Sequence, residues 1–289
     1  MAYGAGTGAG ISGKTEFDSF IPEVWSSAVQ GFMRQALRFR PMVDDYSAWV
    51  SNGGDKIHVP SLSEVTVEDK AENTAVEYDA TVESKVTIDI NKFKYASKMF
   101  ETDALLKAQN SPQILSGYAE NLGYALAKQI DVDIASTLTA GLTSGATLSA
   151  DDALSDAEIQ AMLASLGEAD LDYREGGLSM VVNPTLYADL LNNPKFVRHD
   201  AVGESKIPNA SLGSIYGIDL NMSNSLGSGG TNISGIVFHK SACGFAMRQE
   251  IKADSQYDID YLAQKVVFSC MYGSKMIHAS RGYKFTNAS

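Results

Sequence analysis

Histidine, cysteine and carboxylate side chains build most catalytic and metal sites, and this chain uses them in patterns that point away from such sites. Its four histidines, His58, His199, His239 and His278, lie far apart. None has a second ligand type at helical or Cys-x-x-Cys spacing, so structural or surface roles are expected for each. The two cysteines, Cys243 and Cys270, sit in apolar settings and read as plain buried thiols rather than a disulfide or a metal pair. No Gly-x-Ser-x-Gly, His-Glu-x-x-His, Walker A or Asp-x-Asp-x-Asp-Gly pattern occurs. Gly4, Gly6, Gly8 and Gly10 lack the preceding strand and following helix of a phosphate cradle, and read as a flexible lead. Carboxylates do gather at Glu64, Glu68, Asp69, Glu72, Glu77 and Asp79. Solvent around such a tip leaves their acidity ordinary, so a solvated loop is expected. No cofactor or metal is expected. A triad assembled from distant segments leaves no local trace, so a soluble hydrolase stays open as an alternative.

Secondary structure is written more plainly than chemistry. Ser111 is a good N-cap, and Pro112 falls at the first helical position, where its missing N–H costs nothing. Beyond them Leu115, Tyr118, Leu122, Leu126, Ile130, Ile134 and Leu138 recur mostly four apart, which predicts a long helix over Ser111 to Thr139. At ~1.5 Å per residue it spans about 42 Å, the length of a domain, and the rest of the chain is expected to be arranged around this spine. A strict step of four moves the apolar stripe about 40° around the axis each time, so the two ends should bury different sides.

Upstream, Pro22 opens a helical segment with Val24, Trp25, Ala28, Val29, Phe32 and Met33 on one face, ending before Pro41. This amphipathic arm either packs on its own domain or crosses to a neighbour. Arg34, Arg38 and Arg40 fall on the same short helix and read as a solvated or acid-pairing face. Lys56 to Val59 and Thr81 to Ile90 alternate polar with β-branched residues, like two arms of a long hairpin around the acidic tip. At ~3.3 Å per residue that ribbon could project about 40 Å. Two strands alone in water are marginal, so it needs another surface to lie on.

Lys94 to Asn110 leads into the spine, and Gly141 to Ala150 reads as a small-residue loop. Ser155 and Glu158 form a capping box opening a helix with Ile159, Met162, Leu163 and Leu166 on one face. Leu178 to Val182 reads as a buried strand, and Asn183-Pro184 caps a helix through Leu191. Further strands are expected at Ile215 to Met222, Ile236 to His239 and Ala263 to Tyr272, with a Gly/Ser turn from Ser223 to Gly230. Without a regular βαβ alternation, the fold class is α+β.

Apolar residues make up 44% of the 289, enough for a real core in one large domain or two smaller ones. No apolar run nears the roughly 18 residues of a membrane span, and no secretion leader is evident, so a soluble protein made in the cytosol is expected. A formal net charge of −12 argues against gripping nucleic acid by phosphate neutralisation.

Several segments resemble, in order, the major capsid proteins of tailed bacteriophages. Gly54-Asp55-Lys56-Ile57-His58-Val59-Pro60 is similar to the start of that family's extended loop. Lys94-Tyr95-Ala96-Ser97, with Glu101-Thr102-Asp103-Ala104 and Gln109, is similar to its exit. His239-Lys240-Ser241-Ala242 with Gly244-Phe245-Ala246-Met247 resembles its strand-to-helix step, and Tyr272-Gly273 and Gly282 to Phe285 fit as well. The resemblance implies the Hong Kong ninety-seven type shell fold. It divides the chain into an N-terminal arm (1–49), an extended loop (50–98), a peripheral domain with the spine (99–142), an axial domain (143–258) and return strands of the peripheral domain (259–289). It further implies hexamers and pentamers of an icosahedral shell in the virion, assembled in the host cytoplasm. That shell encloses double-stranded DNA without specific binding, and a separate scaffolding protein and a portal are its partners. No membrane partner or enzymatic activity is implied. The lysine–asparagine cross-link of some members finds no matching pair here.

On this reading Trp25 and Phe32 of the arm, and Glu64, Glu68, Lys70, Glu72, Tyr78 and Lys85 of the loop, contact neighbouring subunits. An encapsulin-like compartment, which shares the shell fold but holds an enzyme, is the closest alternative. Another virion part, such as a tail or decoration protein, is a third.

Overall fold

The spine forms as expected and runs Ser111–Gly141. The computed structural model describes residues 37–50, 53–62, 83–102, 111–147, 154–168, 176–192, 213–226 and 233–286, with isolated positions between 67 and 75. In chain order its strands are β1 (Asp44–Asp45), β2 (Lys56–Leu62), β3 (Glu83–Asp89), β4 (Lys92–Glu101), β5 (Thr143–Thr147), β6 (Leu178–Val182), β7 (Ser214–Ile215), β8 (Ile218–Met222), β9 (Ile233–His239), β10 (Cys243–Asp258), β11 (Ala263–Met276) and β12 (Gly282–Thr286). They make a four-stranded sheet in the order β1-β10-β11-β4, a six-stranded sheet in the order β5-β12-β9-β6-β8-β7, and a separate ribbon of β2 and β3. Helices and mixed sheets together give the expected α+β class.

The C-terminal half of the spine lies between the two sheets. Leu126, Ile130, Ile134 and Leu138 are buried in one cluster with Phe245 and Tyr272 of the four-stranded sheet and with Val181, Ile236 and Phe238 of the six-stranded one. The next residues along β6 and β9 point the other way. Met180, Val182 and Val237 pack on Ile159, Met162, Leu166, Leu186 and Leu190, from helices Asp156–Glu168 and Pro184–Asn192. A strand buried on both faces has no reason to alternate, which is why Leu178 to Val182 reads as an apolar run.

The N-terminal half of the spine departs from expectation. Leu122 is only half-buried and Tyr118 is 38% exposed, resting on Phe100 of β4 at 5.3 Å between ring centroids. The stripe is fully buried at one end, between two sheets, and only partly covered at the other, where Phe100 and Lys98 of β4 lie against Tyr118.

The capping box is formed. The Ser155 N–H donates to Glu158 Oε2 at 2.7 Å, and the Glu158 N–H donates back to Ser155 Oγ at 3.3 Å. The Asn183 side chain likewise accepts from the Leu186 N–H at 2.7 Å. Glu158→Ala should lower the unfolding free energy by about 1 kcal/mol. Urea unfolding followed by circular dichroism checks this, and an unchanged midpoint would show the box to be idle.

Five expectations on local structure need correction. The first part of the segment leading into the spine, Lys94 to Glu101, belongs to strand β4, and the small-residue loop after the spine contains β5, paired parallel to β12. Ile215 to Met222 is not one strand. Tyr216 and Gly217 adopt positive φ of 51° and 83°, turning β7 back onto β8. The step after His239 is only a three-residue 3-10 turn, Lys240–Ala242, and leads into the long strand β10 rather than a helix. Finally, Arg38 is not helical and Arg40 opens a 3-10 turn, Arg40–Met42, so neither lies on the arm helix expected to end before Pro41.

Candidate assembly surfaces

The ribbon is one-sided. Pairing Ile57 with Ile88 and Val59 with Val86 puts apolar residues on one face, while Lys56 opposite Asp89, His58 opposite Thr87 and Pro60 opposite Lys85 fill the other. On the polar face His58 Nδ1 lies 2.9 Å from Thr87 Oγ1, and Lys56 Nζ 4.0 Å from Asp89 Oδ1. The ribbon's root is held tightly. Ile88, Ile90, Val50 and Ala246 form a buried cluster that Tyr46, Ile57, Val59, Met271 and Ile277 complete. Gly273 of β11 lets the chain cross there, since a Cβ at that position would overlap the Asp89 carbonyl. The Ile90 N–H donates to the Asp55 carbonyl at 2.8 Å and closes the root. For the described root, the required second surface is therefore the four-stranded sheet.

Of the residues assigned to subunit contacts, Lys70, Glu72 and Lys85 are exposed. Trp25, Phe32, Glu64, Glu68 and Tyr78 lie outside the described residues, as do His199 and Arg34.

Sequence reasoning missed two further patches. On β4, Phe93, Tyr95 and Met99 share the sheet face turned away from the spine, with Tyr95 70% exposed. At the turn between β10 and β11, Tyr257, Ile259, Tyr261 and Leu262 all stand in solvent, Ile259 77% exposed. The Asp258–Lys265 ion pair and the Thr102 N–H bond to the Leu262 carbonyl (3.0 Å) pin that tip against the end of β4. The first patch was readable in principle: Phe93, Tyr95 and Met99 repeat at even spacing, a strand signature. The tip carried no such signal.

Polar groups elsewhere stitch elements together. On the spine, Asp133 accepts from the Tyr272 hydroxyl (2.6 Å) and Gln129 Nε2 (3.1 Å), with Lys92 Nζ 3.3 Å away. Burial, and then this carboxylate, push the Tyr272 hydroxyl well above the usual phenol range. His239 caps the 3-10 turn: its Nδ1 accepts from the Ser241 N–H (3.3 Å), and Arg281 Nη1 donates to Ser241 Oγ (2.7 Å). This places a serine and a histidine side by side in a local backbone cap. Both cysteines are buried free thiols, as expected, and burial pushes Cys243 up to about 12. Among the described residues no His, Cys, Asp and Glu grouping could hold a metal ion, and no helix is long and apolar enough to cross a membrane.

The described residues thus give two sheets about one long helix, a separate two-stranded ribbon and exposed apolar patches. The family model for phage capsid proteins matches residues 34–282. The chain belongs to that family. It is a structural, major capsid subunit, whose place is the virion and whose partners in the shell are its own copies. No curated protein matches this capsid protein. Among solved structures, one of Mycobacterium phage Che8 superposes with a TM-score of 0.78 at 22% identity, covering 92% of this chain and 97% of that one. The capsid structure of the cyanophage P-SCSP1u gives 0.75 at 18% identity, covering 94% of each. The capsid of a native GTA particle gives 0.73 at 11% identity, covering 99% and 100%. These likenesses show the fold, the Hong Kong ninety-seven type shell fold that the sequence motifs implied.

Proposed function

We propose that this capsid protein closes an icosahedral shell of hexamers and pentamers around double-stranded DNA. Assembly takes place in the host cytoplasm, where a separate scaffolding protein and a portal direct the size and start of a shell that the subunit can close by itself, and the subunit performs no enzymatic step. The observation that carries this reading is the apolar surface left bare on well-anchored elements: Phe93, Tyr95 and Met99 on the sheet, and Tyr257 to Leu262 at the hairpin tip. Such surface in a folded subunit marks a place where another chain belongs. Trp25 and Phe32 of the arm, and Glu64, Glu68, Lys70, Glu72, Tyr78 and Lys85 of the ribbon, supply the remaining contacts. Many weak contacts repeated by symmetry then hold the shell.

The division of labour follows the sheets. The spine with the four-stranded sheet serves as the peripheral domain, and the six-stranded sheet with its two helices as the axial one. On that division residues 243–258 side with the peripheral domain and residues 282–286 with the axial one, while 1–49 remain the arm and the ribbon the extended loop.

The test is the purified full-length chain, concentrated and imaged by negative stain after a sizing column. Closed particles in the void volume are expected. Tyr95→Asp and Ile259→Asp should stay folded, shifting stability by no more than about 0.5 kcal/mol, yet remain small. A wild-type chain that stays small would overturn the reading, as would variants that close normally. Charge gives a second expectation. Subunits at −12 repel less once the screening length falls from ~30 Å at 0.01 M salt to ~10 Å at 0.1 M. Light scattering should show faster assembly across that range, and slower assembly would count against like-charge repulsion as the barrier. The same negative charge leaves DNA ungripped.

A further inference from the structure

The middle of the spine carries a buried carboxylate that the assembly surfaces leave unused. Asp131 is 1% exposed. Its Oδ1 accepts from the backbone N–H groups of Arg38 (3.1 Å) and Phe39 (2.8 Å), at the root of the N-terminal arm. Its Oδ2 accepts from the Ser225 hydroxyl at 3.3 Å, in the turn that follows β8 of the six-stranded sheet. The path continues inward. The Ser225 N–H donates to Ser223 Oγ at 3.1 Å, and the Ser223 N–H donates to the Val182 carbonyl at the end of β6, at 3.0 Å. Ser223 and Ser225 are both buried. Burial of Asp131 raises its carboxyl above the usual range against the pull of these donors.

A buried acid at the meeting point of three segments, held by neutral donors from two of them, is a poor choice for stability alone, because an apolar side chain would avoid the desolvation. It is a good choice for fixing direction, since hydrogen bonds have geometry and apolar contacts do not. We infer that Asp131 couples the exit direction of the arm to the six-stranded sheet, so that movement of the turn at 223–226 is felt at Arg38 and Phe39. Phe39 is itself fully buried in the central cluster, so its ring keeps the arm attached while the carboxylate sets the angle at which the chain leaves. The consequence for assembly rests on the arm being a contact between subunits; the coupling itself does not.

The test uses the full-length chain, kept unassembled at low salt, and reads amide hydrogen exchange in the peptide that contains Arg38 and Phe39. Asp131→Ala should speed exchange there by roughly 10- to 100-fold, the loss of bonds to a charged acceptor. Ser225→Ala, which touches neither amide, should speed it by about 5- to 10-fold. Asp131→Asn should stay within about threefold of wild type, because its amide can accept from Phe39 and donate to Ser225. Exchange that Ser225→Ala leaves unchanged would overturn the coupling, and if Asp131→Ala fails to fold, that variant alone decides. Failure of wild-type chain to form shells would instead strike the assembly reading and leave the exchange result standing.

Discussion

With aspartate in place of Ile134, the chain is expected to give no soluble, folded subunit. Ile134 is fully buried where the spine meets both sheets, among Ile130, Leu138, Phe238, Phe245 and Tyr272. Losing its packing costs about 2–5 kcal/mol. Leaving an unpaired carboxylate in that cluster adds several more, against a total stability of about 5–15 kcal/mol for an ordinary domain. Soluble yield and the far-ultraviolet circular-dichroism signal report the outcome. Wild-type yield with a native unfolding midpoint would mean that the spine does not sit between the sheets. Tyr118→Asp, at a partly exposed site on the same helix, should express normally, so the pair maps the burial gradient along one element.

Gly273→Val should loosen the ribbon without dissolving the rest. The obstacle to a side chain at 273 is backbone, the Asp89 carbonyl and the neighbouring Ile90 Cα, and backbone cannot swing aside as a flexible side chain can. Forcing that much volume into a packed site costs about 3 kcal/mol or more, roughly 6–12 °C in Tm for a chain of this size. Limited proteolysis should show new cuts near residues 50–90 in a subunit whose core still melts cooperatively, and particle yield should collapse. Native Tm and native resistance to protease would show that β3 does not cross β11 at Gly273.

The elements that announced themselves in sequence were those whose signals are local. The Ser111-Pro112 start, the Ser155/Glu158 box and the Asn183-Pro184 cap involve residues within one helical turn, and all three helices formed. The paired strands of the ribbon were legible because near the root one face is apolar, with Ile57, Val59, Val86 and Ile88, and the other polar. β10 was not. Its first residues, Cys243 to Met247, are buried, but from Arg248 onward it is largely exposed, so alternation has no core to answer to. It stays a strand because β11 pairs with it along its length. Cross-strand partners distant in sequence override weak local preference. The thinner cover over the N-terminal half of the spine escaped notice for a related reason: periodicity reports that an apolar stripe exists, not how far its cover extends. The patches at Tyr95 and Ile259 have no cover within the described subunit for a local pattern to report, and the order of short motifs, more than any one of them, pointed to the family.

The sealing of Cys243 and Cys270 matters once a finished particle leaves its host. Both thiols are fully enclosed, and burial holds each above its ordinary acidity, so little thiolate is present to react with oxidants. A coat built from this subunit therefore meets a change from reducing to aerated surroundings with its two sulfurs out of reach.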